Sequence, residues 1–379
     1  MSSIAYYRLP HAERFIRLEQ TQGEPEVLTR LTDLNGREGF VMAPFTVDAA
    51  HPIVLMHPDK VQEEKINESD PCSCQRDGQL MDAARQEERL AYGRDFRQFH
   101  QALKAEMFDK LVLARCEEVE QCDNAHAESL FLAACRCYPR QAIVLVCTPM
   151  TGTWLMATPE VLLSGDGERW RTMALAGTMK LNEDKSQPVM SSQLAGNNLS
   201  VGERVWSDKN RQEQRCVATY IQQSLAPFAT HVEERGPYTV QAGGLVHLRT
   251  DFTFELRDPN QLGTLLEALH PTPAVCGLPK EEAHRFILKN EHIHRSYYSG
   301  FVGLLNPKGE THLYVSLRCM LISDRCYRFY AGGGLLADSI EQQEWEETVA
   351  KMETMKKVVA SPPTPPQREG EWLADNFEL

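Results

Sequence analysis

The sequence predicts an α+β fold, with hairpins mixed among helices rather than strands and helices alternating as in a doubly wound parallel sheet. Three observations predict it. Two apolar stretches reverse on turn residues, at Gly165-Asp166-Gly167 and at Asn306-Pro307-Lys308-Gly309. Segments of helical periodicity stand between and around them. Nothing in 92–360 reads as a linker. A single domain is therefore expected over 1–360, made of a variable part at 1–91 and a core at 92–360, followed by a proline-rich tail at 361–379.

Taken in order, residues 1 to about 90 alternate short apolar runs, FVMAPF and PIVLMH, with polar stretches. Residues 59–89 are charge-rich and read as a mobile loop leading into a helix. YGRDFRQFHQALKAEMF, from Tyr92, sets Phe96, Phe99, Leu103 and Phe108 near one helical stripe. KLVLARCEEV reads as a strand, AESLFLAACRCY as a helix and QAIVLVCTP as a buried strand. GTWLMATPEVLLSGDGERWRTMALAGT reads as a hairpin, 182–200 as a surface loop and DKNRQEQRCVATYIQQSL as a helix. YTVQAGGLVHLRTDFTFEL reads as one strand bent at Gly243-Gly244. NQLGTLLEALH and KEEAHRFILKNEHI read as helices, and YYSGFVGLLNPKGETHLYVSLRCMLI as a hairpin. CYRFYAGGG reads as a strand ending in a glycine turn, with a helix after it to about Val359.

Composition narrows the function classes. The 379 residues are 42% hydrophobic and 25% charged, as in globular proteins. A net charge of −13 argues against a general phosphate-tracking surface, so no nucleic-acid partner is expected. An acidic protein with an anionic substrate needs a local patch of cations or a metal. No run of about 18 apolar residues is present, so no membrane span is expected. The start, MSSIAYYRLPHAERF, lacks the basic-then-apolar layout of a signal peptide. Eleven cysteines without a regular framework fit a reducing compartment, and a cytoplasmic location is expected. The pairs Cys72/Cys74 and Cys135/Cys137 lack the recurring spacing of a zinc site, and Cys135 reads as a small core hydrophobe. No stripe of exposed apolar residues stands out, which makes a monomer the expectation.

Eight segments, in order, resemble the chorismate-utilising family of anthranilate, aminodeoxychorismate, isochorismate and salicylate synthases. They are KLVLAR (110–115), TPEVLL (158–163), ALAGT (174–178), KNRQEQ (209–214), GLVHLRT (244–250), HPTPAVCGLP (270–279), SLRC (316–319), and YAGGG with EWEETVAK (330–351). The resemblance implies the anthranilate synthase component I-like fold, a two-layer sandwich of antiparallel sheets with outer helices. It also implies chorismate as substrate and Mg²⁺ as cofactor.

That chemistry requires a base to activate water, an acid to protonate the leaving 4-hydroxyl, and a cation for the ring carboxylate. By resemblance Lys110 is the base; anthranilate and aminodeoxychorismate synthases carry glutamine there, and a solvated strand-edge lysine is otherwise the commoner fate. Glu160 is the acid; an acidic residue among apolar neighbours needs a polar site or costs burial energy. Glu213 and Glu347 are implied as Mg²⁺ ligands, with Glu344 as a helper. Glu344, Glu347 and Lys351 stand at i, i+3 and i+7, on one helical face, which is equally the pattern of a solvated face. Lys351 and Arg318 are implied partners of substrate carboxylates, and His247 faces the ring. Gly177 and Gly332 bring backbone N–H groups to a carboxylate, Thr178 is implied to bind substrate, and Ala274 lines the wall. Ala176 stands where aminodeoxychorismate synthases place a lysine nucleophile, and no glutaminase-like segment is visible. The resemblance thus points to water as nucleophile, to an isochorismate synthase and to no glutaminase subunit, with menaquinone rather than siderophore assembly expected on prevalence alone. A salicylate synthase and a non-catalytic chorismate binder are the alternatives. Asn210 and Gln214 depart from the Asp and His common in relatives.

Overall fold

The computed structural model describes residues 3–66, 82–121, 126–180, 206–242 and 245–360. The expected loop at 182–200, the Cys72/Cys74 pair, Gly243-Gly244 and the proline-rich tail lie outside the described residues. In chain order the strands are β1 (Ser3–Arg8), β2 (Arg14–Gln20), β3 (Glu26–Leu28), β4 (Gly39–Ala43), β5 (Ile53–Met56), β6 (Lys60–Lys65), β7 (Lys110–Glu120), β8 (Ala142–Thr148) and β9 (Gly152–Thr158). There follow β10 (Val161–Gly165), β11 (Trp170–Lys180), β12 (Ala229–Ala242), β13 (Leu245–Leu256), β14 (Gly277–Leu278), β15 (Phe301–Leu305), β16 (Thr311–Val315), β17 (Cys319–Ile322) and β18 (Cys326–Leu335). The helices are α1 (Asp82–Lys104), α2 (Ala127–Cys137), α3 (Asp208–Leu225), α4 (Leu262–Leu269), α5 (Lys280–Asn290) and α6 (Glu341–Val359).

The strands form two antiparallel sheets, ordered β14-β7-β18-β17-β9-β8-β1-β2-β6 and β12-β13-β11-β10-β16-β15-β4-β5-β3. Continuous apolar runs arise because both faces of each sheet are covered. Along β8, Val144 and Val146 share a cluster with Phe40, Met42 and Met56 of the second sheet. The alternate residues Ile143 and Leu145 cluster with Leu130 and Phe131 of α2 and with Met352 and Met355 of α6. That period of two gives each strand one sheet-facing and one helix-facing side. On the other outer face, Val217, Ile221 and Leu225 of α3 and the leucines of α4 cover the second sheet. The sandwich with outer helices is as the resemblance implied.

Several sequence readings are corrected. Lys60–Lys65 is not loop; it is an exposed edge strand on β2, and its charges suit an edge that must not pair further. The described part of α1 begins at Asp82, ten residues before Tyr92. The stretch read as one bent strand is two, β12 and β13, paired from Ala242↔Leu245 outward. Both expected hairpins hold at their turns, β10–β11 and β15–β16. Each, however, also contributes a strand to the opposite sheet, β9 before β10 and β17 after β16. Finally, the glycines of YAGGG form no turn: Gly332, Gly333 and Gly334 sit inside β18, paired with Ala114, Leu113 and Val112 of β7. Cys135 is a core residue between α2 and the first sheet, its thiol pushed up to about 11 by burial.

Candidate active site

The chain passes from the first sheet to the second at Pro159-Glu160, between β9 and β10, and returns at Ser316-Leu317-Arg318, between β16 and β17. These crossings lie side by side. Val315 N donates to Glu160 O at 3.0 Å, and Ala157 N to Arg318 O at 3.1 Å. Thr158 Oγ1 donates to Val315 O at 2.7 Å. Glu160 and Arg318 are therefore not mid-strand residues, as the apolar runs around them suggested. Arg318 has φ 46°, a left-handed conformation that costs a non-glycine residue energy and is tolerated where the surroundings enforce it. Beside the crossings opens a cleft with about 660 Å³ of empty space, part of it continuous with solvent.

One wall is built by β18 under α3 and α6. Three acids stand on it, each holding an ammonium. Glu213 Oε1 is 3.0 Å from Lys110 Nζ, Glu344 Oε1 is 2.6 Å from Lys209 Nζ, and Glu347 Oε1 is 2.7 Å from Lys351 Nζ. The glycines of β18 make the room: a Cβ on Gly334 would strike Glu213 Oε1 and come within 2.9 Å of Lys110 Cε. Glu213 would be raised by burial, but Lys110, with Lys351 and Lys209 beyond it, holds its carboxyl below the usual range. Glu344 is pushed up by burial and by neighbouring Glu347, against the pull of Lys209.

Among the described residues, the opposite wall carries no acid paired with an ammonium. Glu160, 3% exposed, is pushed up to about 8 by burial, which outweighs the cations Lys110 and Lys351. It is thus a neutral carboxyl at pH 7. His247 on β13 is buried; burial, then Arg318 and Lys351, drives it far below the usual imidazole range. As a neutral ring its Nε2 accepts from Arg318 Nη2 at 2.8 Å. Burial lowers Arg318 to about 10, so it remains cationic. Ala274, Ala176 and Leu175 complete this side.

Of the residues singled out from sequence, Glu160, Gly177, Glu213, His247, Ala274, Arg318, Gly332, Glu347 and Lys351 line the cleft. Lys110 is set behind the wall, fully buried, with Glu213 at its ammonium. Glu344 is likewise set back, against Lys209. The glycine expectation needs correcting. Gly177 is the bulged residue of β11, at φ 68°, and its N–H donates to Glu213 Oε2 at 3.2 Å rather than standing free for a substrate. A Cβ there would press on Asn210 at 3.1 Å. Gly332 offers its carbonyl, which accepts from Lys351 Nζ at 2.8 Å. Thr178 pairs with His247 across β11 and β13, and its side chain lies outside what is described.

Tyr298 and Gln214 are among the residues that escaped the sequence reading. Tyr298 lines the cleft and stacks on Tyr330, with ring centroids 5.5 Å apart; its signal was a tyrosine just before a strand, three residues after a charged i, i+4 pair. Gln214, noted only as a departure, is buried and pins α3 to the sheet. Its Oε1 accepts from Ala176 N at 2.9 Å, and its Nε2 donates to Ala174 O and Thr250 Oγ1. It thereby aims the neighbouring Glu213.

The donors on the first wall are all oxygens, which suits a hard dication keeping several waters. A Cβ on Gly333 would lie 3.6 Å from both Glu344 Oε2 and Glu347 Oε1, so the strand leaves space between them. The three carboxylates do not close into one cluster. Among the described residues, the trio of His, Cys, Asp or Glu ligand atoms lying mutually within 4.8 Å is instead Asp48, His51 and His294. There, Ser296 N–H donates to His294 Nδ1 at 3.1 Å, which leaves the ring proton on Nε2, toward Asp48. That trio is a hydrogen-bonded network with no lone pair on His294 free for an ion.

Comparison with known proteins places the chain in a family and supports the fold. Residues 33–360 match the family described as chorismate binding enzyme. Isochorismate synthase DhbC of Bacillus subtilis (strain 168) is 34% identical over 209 residues, 55% of this chain and 50% of that protein. Isochorismate synthase MenF of Escherichia coli (strain K12) is 30% identical over 239 residues, 63% of this chain and 53% of that protein. The chain spans about half the length of the curated relatives it matches. The solved structure of MenF, the menaquinone-specific isochorismate synthase from Escherichia coli, superposes with a TM-score of 0.74 at 21% identity, covering 94% of this chain and 88% of that one. At that identity the likeness speaks for the fold. No described helix is long and apolar enough to cross a membrane. The matched span takes in both sheet crossings and every wall of the cleft, from Lys110 to Lys351, and this chain belongs to the chorismate binding enzyme family.

Proposed function

We propose that the protein is a magnesium-dependent isochorismate synthase. The observation that carries the reading is a buried carboxyl, Glu160, pushed up by that burial and lining one cleft with Glu213, the partner of Lys110. In this reading Lys110, as the free amine left once its ammonium proton is lost, takes a proton from water, whose oxygen bonds to C2 of chorismate. The ring double bonds shift, the C4–O bond breaks, and Glu160 gives its proton to the departing hydroxyl, which leaves as water. One water enters and one leaves, so substrate and product are isomers. Acid and base each contribute roughly 10²–10⁴-fold in such chemistry. Lys110 is paired to the cleft-lining Glu213, so in this reading the amine serves as base only when that ion pair is broken.

Glu213 and Glu347 would hold Mg²⁺, with Glu344 through water. The ion would supply charge neutralisation to the ring carboxylate. Arg318 and Lys351 offer their cations to substrate carboxylates, and neutral His247 keeps Arg318 oriented. Ala176, at 6% exposure on the same wall, offers no amine for a lysine-type nucleophile, which favours water. The enzyme is read as acting alone, without a glutaminase subunit.

Purified protein incubated with chorismate and Mg²⁺, followed in time by chromatography, tests this. Isochorismate accumulating, and lost on adding EDTA, is the expected result. Prompt salicylate with pyruvate would make it a salicylate synthase, and unchanged chorismate would remove the catalytic reading altogether.

A further inference from the structure

The two-residue strand β14 pairs with β7 at Lys110 and Leu111 and then stops. The next backbone groups on that edge of β7 would be left without a strand partner, at a place closed to water. Val112 N still finds Cys276 O at 2.7 Å. Beyond it, two side chains from the turn after α5 take over. Arg295 Nη2 donates to Val112 O at 2.8 Å, and Glu291 Oε1 accepts from Ala114 N at 2.7 Å. The same guanidinium reaches Val275 O through Nη1 at 2.7 Å and grips both oxygens of Glu291 at 2.6 and 2.7 Å. Both side chains are 2% exposed, and neither lines the cleft. Arg295 also lies over the Phe45 ring, 4.3 Å from its centroid.

Every segment held this way carries a cleft-lining residue. Val112 is on β7, two residues from Lys110; Val275 follows Ala274; and Tyr298 N donates to Arg295 O at 2.9 Å. Resting on the isochorismate synthase reading, we propose that Arg295, locked by Glu291, is a positioning residue that stands in for a missing strand and fixes β7, the Ala274-Val275 wall and Tyr298 relative to one another. A lysine cannot do this. Its single ammonium keeps the charge partner but has no planar fork to hold two carbonyls and a carboxylate at once.

The test compares Arg295→Lys with Arg8→Lys. Arg8 is equally buried and also satisfies backbone carbonyls, Pro139 O and Tyr138 O, but away from the cleft. Thermal stability, chorismate binding by calorimetry, kcat and KM, and amide hydrogen exchange at Ala114 are measured on both. Arg295→Lys is expected to lower kcat/KM by about 10- to 100-fold, chiefly through KM, and to speed exchange at Ala114. Arg8→Lys, with a comparable loss of melting temperature, is expected to keep wild-type kinetics. A double mutant with Tyr298→Phe is expected to lose less than the product of the single losses. Equal kinetics for the two arginine variants, or full additivity with Tyr298→Phe, would overturn the proposal. Should Arg295→Lys not fold, Glu291→Gln, which keeps an oxygen for Ala114, is read against Arg8→Lys on the same measures. A wild-type protein that makes no isochorismate defeats the functional reading instead, and binding and exchange then decide the role of Arg295.

Discussion

Glu213 and Glu160 are both carboxyls buried at one cleft, and they titrate in opposite directions. Burial presses on both. The difference is contact: Glu213 has an ammonium at 3.0 Å, whereas Glu160 feels Lys110 and Lys351 only across the cleft. Water exclusion thus favours a carboxylate on one wall and a carboxylic acid on the other, the difference following the direct contact that Lys110 makes with Glu213. A protein can therefore keep a proton donor and an anionic ligand side by side at one pH.

The sharpest way to break this contrast is to remove its members. Lys110→Ala and Glu160→Gln are each expected to lower kcat by about 10²–10⁴-fold, with chorismate binding still detectable by calorimetry; a variant that keeps most of its kcat defeats that residue's role. The two acids should also differ in stability. Glu213→Gln strands Lys110, which is fully buried, and is expected to cost about 3–5 kcal/mol in denaturant unfolding at pH 7. Glu160→Gln is expected to stabilise. The Glu160 pKa is raised in the fold, so its ionisation costs nothing below the unfolded value of 4.5, and the cost grows as pH climbs to about 8. Melting curves between pH 5 and 9 check this, and a gap between Glu160→Gln and wild type that does not widen with pH contradicts it.

Smaller effects refine the picture. Glu347→Gln is expected to raise the Mg²⁺ needed for half-maximal activity by about tenfold or more, and an unchanged titration would put the ligand elsewhere. The wild-type rate should fall above about pH 8, where Glu160 loses its proton, and that descending limb should vanish from the residual activity of Glu160→Gln.

Much of this was legible in the residues. The helix over Asp208–Leu225 reads from sequence with the same bounds it has in the fold, and the turns at 165–167 and 306–309 mark true hairpins. The chemical residues were found through family resemblance, and most of them do face one cleft. What stayed hidden has a common cause. Apolar alternation shows that a strand has two faces but not which sheet it joins, so the crossings at Glu160 and Arg318 looked like charges inside continuous strands. Local sequence likewise makes a run of glycines a turn; only the approach of Glu213 and Lys110 from other elements explains why β18 carries them mid-strand. Tyr298 and Gln214 owe their importance to partners far along the chain, which no local window contains.

The paired crossings bear on how the site tolerates thermal motion. Because the Glu160 and Arg318 carbonyls are tied to each other's strands through backbone hydrogen bonds, the main-chain positions from which acid and guanidinium extend are fixed relative to one another. A shift of one sheet against its partner would carry both groups together, so the ruler that measures a ring against its two functional ends moves as one piece.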